Sequence, residues 1–415
     1  GNVRIPQEPV PASSSAAPAL SAARLRRKTM RSSDTSTRAS AVALGLTALF
    51  AGIALGRAFP KSWRHYVREV GAWQRQTKGC TGHLLGIDIG GTSVKLGVLD
   101  ASGSVLVSKS GTITDRTLEG VCDLIKQLAD TSLETSRLSL ERDISGIGVC
   151  VPGLIDVEEG TVKFAANFPL WPKPAPLADC VQAMLGLRPR VENDANVALL
   201  AEVWQGAASG ATNAVMLSLG TGVGSAILCD GRLVRGATGF AGEVGHTIFQ
   251  RNGLLSASTG VRGVLEEYVS ARGIADVSQR AVAELTKSQS HDQTQKPKHT
   301  SVLQLVTPLE TLTSKHVFDG AALGDPLSRM LVHDATEILG ITCLNMVRIF
   351  DTEVILLGGG LTQAGDQLLT GVQESFIRNY WTLDTPHCSI KLARHRHNAG
   401  MIGAAYLAHP SYKPQ

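Results

Sequence analysis

One pattern occurs twice in this chain, and it limits the available folds more than any other feature. Residues 84–108 contain an apolar strand, a turn at Gly90–Thr92, a second strand, an Asp-Ala-Ser-Gly turn and a third strand. About 130 residues later, residues 215–237 repeat this order around a turn at Gly220–Gly222. A meander that occurs twice predicts a duplicated α/β fold, in which two lobes each present a Gly/Thr turn to a central cleft.

Apolar patterns outside the repeats predict the elements that complete each lobe. Apolar residues recur at helical spacing in 117–130, and 326–350 forms one long helical pattern. The apolar runs 144–153 and 352–360 end in Pro-Gly and in three glycines, which is typical of buried strands followed by turns. Residues 286–300 are polar and rich in turn-forming residues, so we expect an exposed insertion there.

The same patterns divide the chain into regions. We place a small lobe at residues 82–205 and a large lobe at 206–400, with a C-terminal helix and tail at 401–415 that packs back on the small lobe. Residues 1–80 differ from the rest, because they are rich in Ser, Ala, Pro and Arg and lack a periodic apolar face in their first half. This composition predicts a disordered basic leader.

The leader contains one apolar segment, residues 41–56, which has sixteen residues without a charge. It is longer than the apolar region of most signal peptides and shorter than the roughly 20 residues of a membrane span. Three interpretations stay open: a single membrane anchor, part of an organellar targeting sequence, or a cleaved secretory signal. We expect the folded part of the chain to face the cytoplasm, anchored through 41–56, or alternatively to enter a mitochondrion or plastid.

Charge and cysteine usage narrow the class of protein. The formal net charge is +4, yet residues 1–64 hold ten Lys and Arg against two acidic residues, so the remainder is close to neutral or slightly acidic. This balance argues against a body that binds nucleic acid. No two of the seven cysteines have Cys-x-x-Cys spacing, and several lie in apolar runs, which predicts free, mostly buried thiols.

The two Gly/Thr turns are candidates for phosphate binding. Glycines let backbone N–H groups approach an anion closely, and a threonine hydroxyl adds a donor. Asp88 lies just before Gly90–Thr92, where a carboxylate can hold Mg²⁺ through water. The alternative is that the glycines only form hairpins. A third glycine cluster at the end of 352–360 suits the approach of an adenosine.

A second candidate is the polar run from Glu192 to Asn196, which precedes a helical apolar pattern. The residues alone allow two interpretations of Asp194: the N-cap of that helix, or a general base beside hydroxyl-binding amides. A third candidate begins at Glu243 and His246 and ends at Glu266, with a Gly-rich loop between them. These residues suit half of a metal site, a sugar pocket or a capped turn.

Together these motifs resemble the ROK family of sugar kinases, above all its ATP-dependent glucokinases. The resemblance covers about residues 82–408, through LLGIDIGGTSVKLGVLD, GIGVCVPGLIDVEEGTVKFAANFPLW, VENDANVALLAE, LSLGTGVGSAI, GFAGEVGH, VILLGGGL and AGMIGAAYLA. It implies an actin-like ATPase fold of the ribonuclease H-like type, with ATP and Mg²⁺ as cofactors and a hexose as substrate. It also implies a homodimer.

The resemblance assigns roles to single residues. Asp194 would be the general base on the sugar 6-hydroxyl. The hydroxyl-binding groups would be Asn167, Asn193, Asp194, Glu243, His246 and Glu266. The nucleotide and its Mg²⁺ would be held by Asp88, Gly90, Gly91, Thr92, Lys95, Gly220, Thr221, Gly222, Gly358 and Gly359. Glucose is the expected acceptor, with an N-acetylhexosamine or fructose as alternatives. A non-catalytic sugar sensor is the alternative from another class.

The chain departs from the family pattern in the loop after His246. Most relatives carry three cysteines there that bind a structural zinc ion together with a histidine. The corresponding positions here are Ala257, Thr259 and Val264, which cannot supply thiolates. We therefore expect no zinc site, and a loop that is held by packing of Val261, Val264 and Leu265.

Overall fold

The computed structural model describes residues 82–291, 301–380, 386–395 and 397–413. The leader at 1–80 and its apolar segment 41–56 lie outside the described residues, as does most of the expected insertion at 286–300. Within the described ranges, no helix combines the length and apolar character needed to cross a membrane.

The strands are β1 (His83–Ile89), β2 (Ser93–Leu99), β3 (Val105–Thr112), β4 (Ile144–Val151), β5 (Leu154–Asp156), β6 (Thr161–Phe164), β7 (Arg190–Asn193), β8 (Ala214–Leu219), β9 (Val223–Cys229), β10 (Arg232–Leu233), β11 (Val354–Gly358) and β12 (Ser389–Leu392).

Helices cover and connect these strands. The α-helices are α1 (Leu118–Ser136), α2 (Leu140–Asp143), α3 (Leu177–Leu185), α4 (Asp194–Gln205), α5 (Glu266–Val269), α6 (Ala271–His291), α7 (Ser314–Ala322), α8 (Pro326–Phe350), α9 (Asp366–Asn379) and α10 (Ala399–Ala408). Short 3₁₀ helices occur at Val244–His246, Val302–Leu305, Leu309–Thr311 and Gly360–Ala364.

The two main sheets have the same topology, which confirms the duplicated two-lobed α/β fold. The first sheet has the order β3-β2-β1-β4-β7, and the second has the order β10-β9-β8-β11-β12. In each sheet the first three strands form an antiparallel meander, and the other two join it in parallel. The Gly/Thr turns link the first two strands of each meander. We call Gly90–Thr92 the first Gly turn and Gly220–Gly222 the second Gly turn.

Helix α4 packs between elements of both sheets. One buried cluster combines Leu199 and Leu200 of α4 with Cys150 of β4, Met216 of β8 and Leu356 of β11. Full burial of one such leucine side chain stabilises the fold by about 1.5–3 kcal/mol. The first residue of α4, which carries a candidate catalytic carboxylate, is therefore held by a core that both halves of the fold share.

Helix α10 lies directly on the first sheet. Its backbone approaches so closely that a Cβ added to Gly86 would lie 1.9 Å from the Met401 carbonyl oxygen, and one added to Gly148 would lie 1.7 Å from that of Ala404. Only glycine leaves room for a helix at this distance. The C-terminal helix thus packs on the lobe that contains the first Gly turn, while the lobe boundary at 205/206 stays a prediction.

Candidate active site

The first Gly turn is tied to the segment that contains Asn167. Gly90 N–H donates to the Ser93 carbonyl oxygen at 2.9 Å, which closes the turn. Arg116 donates to the carbonyl oxygens of Gly91, at 2.9 Å, and Asn167, at 3.1 Å. A Cβ on Gly91 would lie 3.0 Å from Asn167 Nδ2. Asn167 therefore lies beside the first Gly turn, held there by an arginine that no sequence motif indicated.

Asp88 is the half-buried next-to-last residue of β1, beside this turn. The Cys150 thiol donates to Asp88 Oδ1 across 3.3 Å. Partial burial raises the pKa of the Asp88 carboxyl, while the Cys150 hydrogen bond and the charge of Lys95 oppose that shift. Lys95 Nζ also donates to the His397 carbonyl oxygen, so this cation connects β2 with the residues just before α10.

Asp194 is the first residue of α4, and Asn193 is the helix cap. Asn193 Oδ1 accepts from the backbone N–H groups of Ala195, at 2.9 Å, and Asn196, at 3.4 Å. The interpretation of Asp194 as the N-cap was therefore wrong. Asp194 remains accessible within the cleft, but protein surrounds it closely enough that desolvation raises the pKa of its carboxyl, and the nearby Asp88 carboxylate raises it further.

A cavity of about 270 Å³ lies beside Asn193 and is lined by two of the six predicted sugar-binding residues, Asn193 and Glu243. Asn193 Nδ2 donates to the Gly153 carbonyl oxygen at 3.0 Å. Gly153 also lines the cavity, although it was not among the predicted sugar-binding residues. The available signal was the Pro-Gly pair that follows β4 directly. The volume approaches the lower end of the range of small-molecule pockets, about 300–1,000 Å³.

Glu243 precedes and His246 ends a 3₁₀ turn that rests against β9. A Cβ on Gly245 would lie 2.3 Å from the Val223 carbonyl oxygen, so the turn is seated on the start of that strand. His246 Nε2 lies 3.8 Å from Glu243 Oε2, and the two side chains are 45% and 56% exposed. Both side chains are therefore partly exposed, and Glu243 also lines the cavity beside Asn193.

Glu266 lies at the second Gly turn. Its Oε2 accepts from Val223 N–H at 3.4 Å, and a Cβ on Gly222 would lie 2.6 Å from the same oxygen. Arg272 Nη2 is 3.6 Å from Glu266 Oε1 and 3.1 Å from Glu267 Oε1. The structure thus places Glu266 in a buried acidic pair next to the second Gly turn, whereas Asn193 and Glu243 share the cavity.

The third glycine cluster, residues 358–360, packs against the second Gly turn. Gly359 follows β11 with φ of +82°, and a Cβ there would lie 2.5 Å from the Leu219 carbonyl oxygen. Gly220 N–H donates to the Gly222 carbonyl oxygen at 3.0 Å, and Gly220 O accepts from Ala271 N–H at 2.8 Å. Hence the ends of β8 and β11 and the start of α6 meet around the second Gly turn.

The loop after His246 is organised by backbone hydrogen bonds and one tyrosine. Tyr268 Oη accepts from Leu254 N–H at 2.7 Å, and Gly263 N–H donates to Leu254 O at the same distance. Val264 and Leu265 are buried as expected, but Val261 is 42% exposed, so its predicted anchoring role was wrong. Among the described residues, no group of three or more His, Cys, Asp or Glu side chains is placed to hold a metal ion. The absence of zinc stays a prediction.

Comparison with known proteins identifies the family. The model of the ROK family matches residues 84–411. The glucokinase of Thermotoga maritima is 32% identical over 335 residues, which cover 78% of this chain and 96% of that protein. The glucokinase of Streptomyces coelicolor is 32% identical over 79% of this chain and 98% of its own length. The crystal structure of a ROK family glucokinase from Streptomyces griseus in complex with glucose and AMPPNP aligns with a TM-score of 0.60 at 29% identity, over 79% of this chain and 99% of that one.

These relatives correct one expectation. The expected location, facing the cytoplasm and anchored through 41–56 with a mitochondrion or plastid as the alternative, was a wrong prediction, because these matched relatives are glucokinases of bacteria. The family match and the shared topology agree with the motifs that both Gly turns carry. The chain therefore belongs to the ROK family, as a sugar kinase related to its glucokinases.

Proposed function

We propose that this chain transfers the γ-phosphoryl group of ATP to the 6-hydroxyl of glucose, with Asp194 as the general base. The observation that carries the proposal is the position of Asp194 at the start of α4: it directly follows Asn193, which lines the cavity, and the charge of Asp88 raises the pKa of its carboxyl. The matched glucokinases support glucose as the acceptor and ATP as the donor.

The residues fit the chemistry of such a transfer. Asn193 and Glu243 offer amide and carboxylate groups that hydrogen-bond sugar hydroxyls, and the free N–H of the Asn193 amide is available for this task. The Asp194 carboxylate accepts the hydroxyl proton while the new O–P bond forms and the bond to the leaving β-phosphate oxygen breaks. Backbone N–H groups of the two Gly turns suit the oxygens of the transferred phosphate.

The donor set also fits a magnesium ion. Mg²⁺ prefers oxygen ligands and is commonly bound by one or two carboxylates together with phosphates and water, without an all-protein cage. Asp88 provides such a carboxylate, with a thiol hydrogen bond on Oδ1. We propose that Asp88 would hold Mg²⁺ through water, where the ion neutralises phosphate charge. The Asp88 carboxylate also lies close enough to Asp194 to raise the pKa of the Asp194 carboxyl.

The test is turnover by purified protein with ATP, Mg²⁺ and a panel of glucose, fructose, N-acetylglucosamine and N-acetylmannosamine. We expect glucose to have the highest kcat/KM. Asp194→Asn should lower kcat by about 10²–10⁴-fold, the usual contribution of a general base, without loss of glucose binding. Asp319→Asn, at an exposed position of α7, is the matched control.

Two results would contradict the proposal. A variant Asp194→Asn as fast as the wild type would remove Asp194 from the chemistry. Glucose binding in calorimetry without turnover of any hexose would instead indicate a sugar sensor. The predicted homodimer is tested separately by light scattering coupled to gel filtration.

A further inference from the structure

A buried ion pair, Glu192–Arg235, lies at the wall of the Asn193–Glu243 cavity. Arg235 Nε donates to Glu192 Oε2 at 2.8 Å, and Nη2 lies 2.6 Å from the same oxygen. The side chains are only 3% and 12% exposed, and both residues line the cavity. Glu192 is two residues before Asp194, whereas Arg235 belongs to the segment that leads to Glu243. The pair therefore connects the two chain segments that carry the candidate sugar-binding groups.

The glutamate side of the pair organises the start of α4. Glu192 Oε1 accepts from the backbone N–H of Asn193 at 2.9 Å and from Asn196 Nδ2 at 3.0 Å. One oxygen thus orients the residues around Asp194, while the other receives the guanidinium. Because both oxygens have partners, a shift of Arg235 would be transmitted to the Asn193 backbone.

The arginine side of the pair begins a loop that closes on itself before Glu243. The Arg235 carbonyl oxygen accepts from Ala241 N–H at 3.2 Å. Ser225 Oγ of β9 donates to the Gly242 carbonyl oxygen and accepts from Val244 N–H at 3.1 Å. The loop is therefore held at its first residue by the ion pair and at its last residues by Ser225.

Tyr412, from the C-terminal tail, completes the network. Arg235 Nη2 donates to Tyr412 Oη at 2.8 Å, and the tyrosine is only 6% exposed. The guanidinium of Arg190 lies over the Tyr412 ring at 5.8 Å and donates to the Leu407 carbonyl oxygen at 2.7 Å. Tyr412, which is 177 positions from Arg235 in the sequence, thus fixes the orientation of the guanidinium through Nη2.

We propose that Arg235 is a positioning residue for the sugar: its planar guanidinium sets the distance between Asn193 and Glu243 through Glu192, and Tyr412 fixes its orientation. The inference rests on the proposed function, because it assigns the cavity to the sugar. A guanidinium is suited to this role, since its rigid fork binds two acceptors in fixed directions, which an ammonium group does not. The ATP side of the site is not part of this network, so its affinity should be independent of it.

A structural ion pair and a positioning pair predict different kinetics. Removing one buried charge leaves the other unpaired and destabilises the fold, whereas replacing both charges with apolar side chains of similar size often restores stability. We therefore compare Arg235→Met, Arg235→Lys and the double variant Glu192→Gln/Arg235→Met, which removes both charges but keeps an amide oxygen to accept from Asn193 N–H and Asn196 Nδ2. We expect the double variant to regain the wild-type Tm but to keep a KM for glucose raised at least 10-fold, with the KM for ATP changed less than 2-fold. Arg235→Lys should recover part of the glucose affinity.

A milder pair of variants keeps the test decisive if the charge variants fail to fold. Tyr412→Phe removes only the hydroxyl that accepts from the Arg235 guanidinium, and we expect a glucose KM raised about 3-fold, because the contacts of the guanidinium with Glu192 remain. Tyr406→Phe, whose ring stacks on Trp204, is the control without a hydroxyl contact to Arg235. A wild-type glucose KM in the folded double variant, or in Tyr412→Phe when the double variant does not fold, would overturn the inference.

Calorimetry separates this inference from the proposed function. If the wild type binds glucose but does not phosphorylate it, the kinase assignment fails, while a raised glucose Kd in the same variants still supports the positioning role. An unchanged Kd in those variants refutes the positioning role without affecting the kinase assignment. If the wild type binds none of the four hexoses, both proposals fall.

Discussion

Asp88 and Cys150 are paired neighbours on adjacent parallel strands, and the cysteine thiol donates to the Asp88 carboxylate. Their Cα positions are partners in the register of β1 and β4, and Sγ lies 3.3 Å from Oδ1. Cys150 is fully buried, as its apolar surroundings in the sequence predicted. Its position on β4 gives this thiol a second role, because it stabilises the ionised form of an acid next to the first Gly turn.

The first prediction concerns this hydrogen bond. Burial raises the pKa of Asp88, and the Cys150 thiol opposes that shift. Cys150→Ala should therefore raise the pKa of Asp88 further, so that the acidic limb of the kcat/KM profile moves to higher pH. Cys150→Ser, which keeps a donor, should retain the wild-type limb. Profiles of kcat/KM against pH, measured with saturating Mg²⁺, test this. Cys343→Ala is the control, because Cys343 is buried in the cluster that packs on the second sheet, away from Asp88. Superimposable acidic limbs for all variants would contradict it.

The second prediction concerns the loss of free energy of unfolding that the ionised Asp194 carboxyl causes. The pKa of the Asp194 carboxyl is raised in the folded protein, mainly because burial disfavours its charged form. The free energy of unfolding is therefore greatest below the unfolded-state pKa, and it falls as the pH rises through the folded-state pKa. Asp194→Asn should therefore raise Tm at pH 7.5, and this gain should disappear in acid. Differential scanning calorimetry at several pH values measures it.

A carboxyl with the opposite shift serves as its control. Asp325 caps α8 and accepts from Ser328 N–H at 2.8 Å and Ser301 Oγ at 2.9 Å. Burial raises the pKa of Asp325, but these hydrogen bonds outweigh it and lower the pKa overall. Its stabilising effect is present above the unfolded pKa and is lost in acid. Asp325→Ala should therefore lower Tm at neutral pH, through a loss of about 0.5–2 kcal/mol in the free energy of unfolding, as for a lost cap. Equal effects of the two substitutions on Tm would speak against the assigned shifts.

The third prediction concerns the contact between α10 and the first sheet. Gly148→Ala would place a Cβ 1.7 Å from the Ala404 carbonyl oxygen, so the helix or the strand must move. We expect a loss of at least about 1–3 kcal/mol in the free energy of unfolding, the usual cost of overpacking. Urea unfolding measures it. Gly360→Ala, where a Cβ meets nothing within 4 Å, is the control and should change stability far less.

The fourth prediction concerns metals. The loop after His246 lacks thiolate ligands at Ala257, Thr259 and Val264, and Tyr268 holds it instead through Leu254. Dialysis against a strong chelator should therefore leave Tm unchanged, and added Mg²⁺ alone should restore activity. A fall in Tm on chelation, together with zinc found by elemental analysis, would show that the loop holds a metal after all.

Much of the architecture follows from local patterns. The two Gly turns are flanked by alternating apolar strands, so a meander could be predicted twice, and the recurrence implied two similar sheets. Asp88 could be selected because it ends an apolar run just before a Gly turn, and Asp194 because it lies in a polar run before a helical pattern, whereas the role of Asn193 came from the resemblance to the ROK family. Gly153 and Arg116 were missed, since one acts through its carbonyl oxygen and the other through contacts with two distant carbonyls.

The sequence by itself determined where the chain forms strands, turns and helices, because apolar periodicity and glycine act over a few residues. The tertiary structure decided with which residues each polar group forms its hydrogen bonds and ion pairs. Asn193 and Asp194 are equally good caps by type, and the cap is Asn193 because β7 pairs with β4 up to that residue. Likewise, Arg235 meets Glu192 and Tyr412 only through long-range packing, since contacts between residues 43 and 177 positions apart depend on how the two sheets and the C-terminal tail assemble.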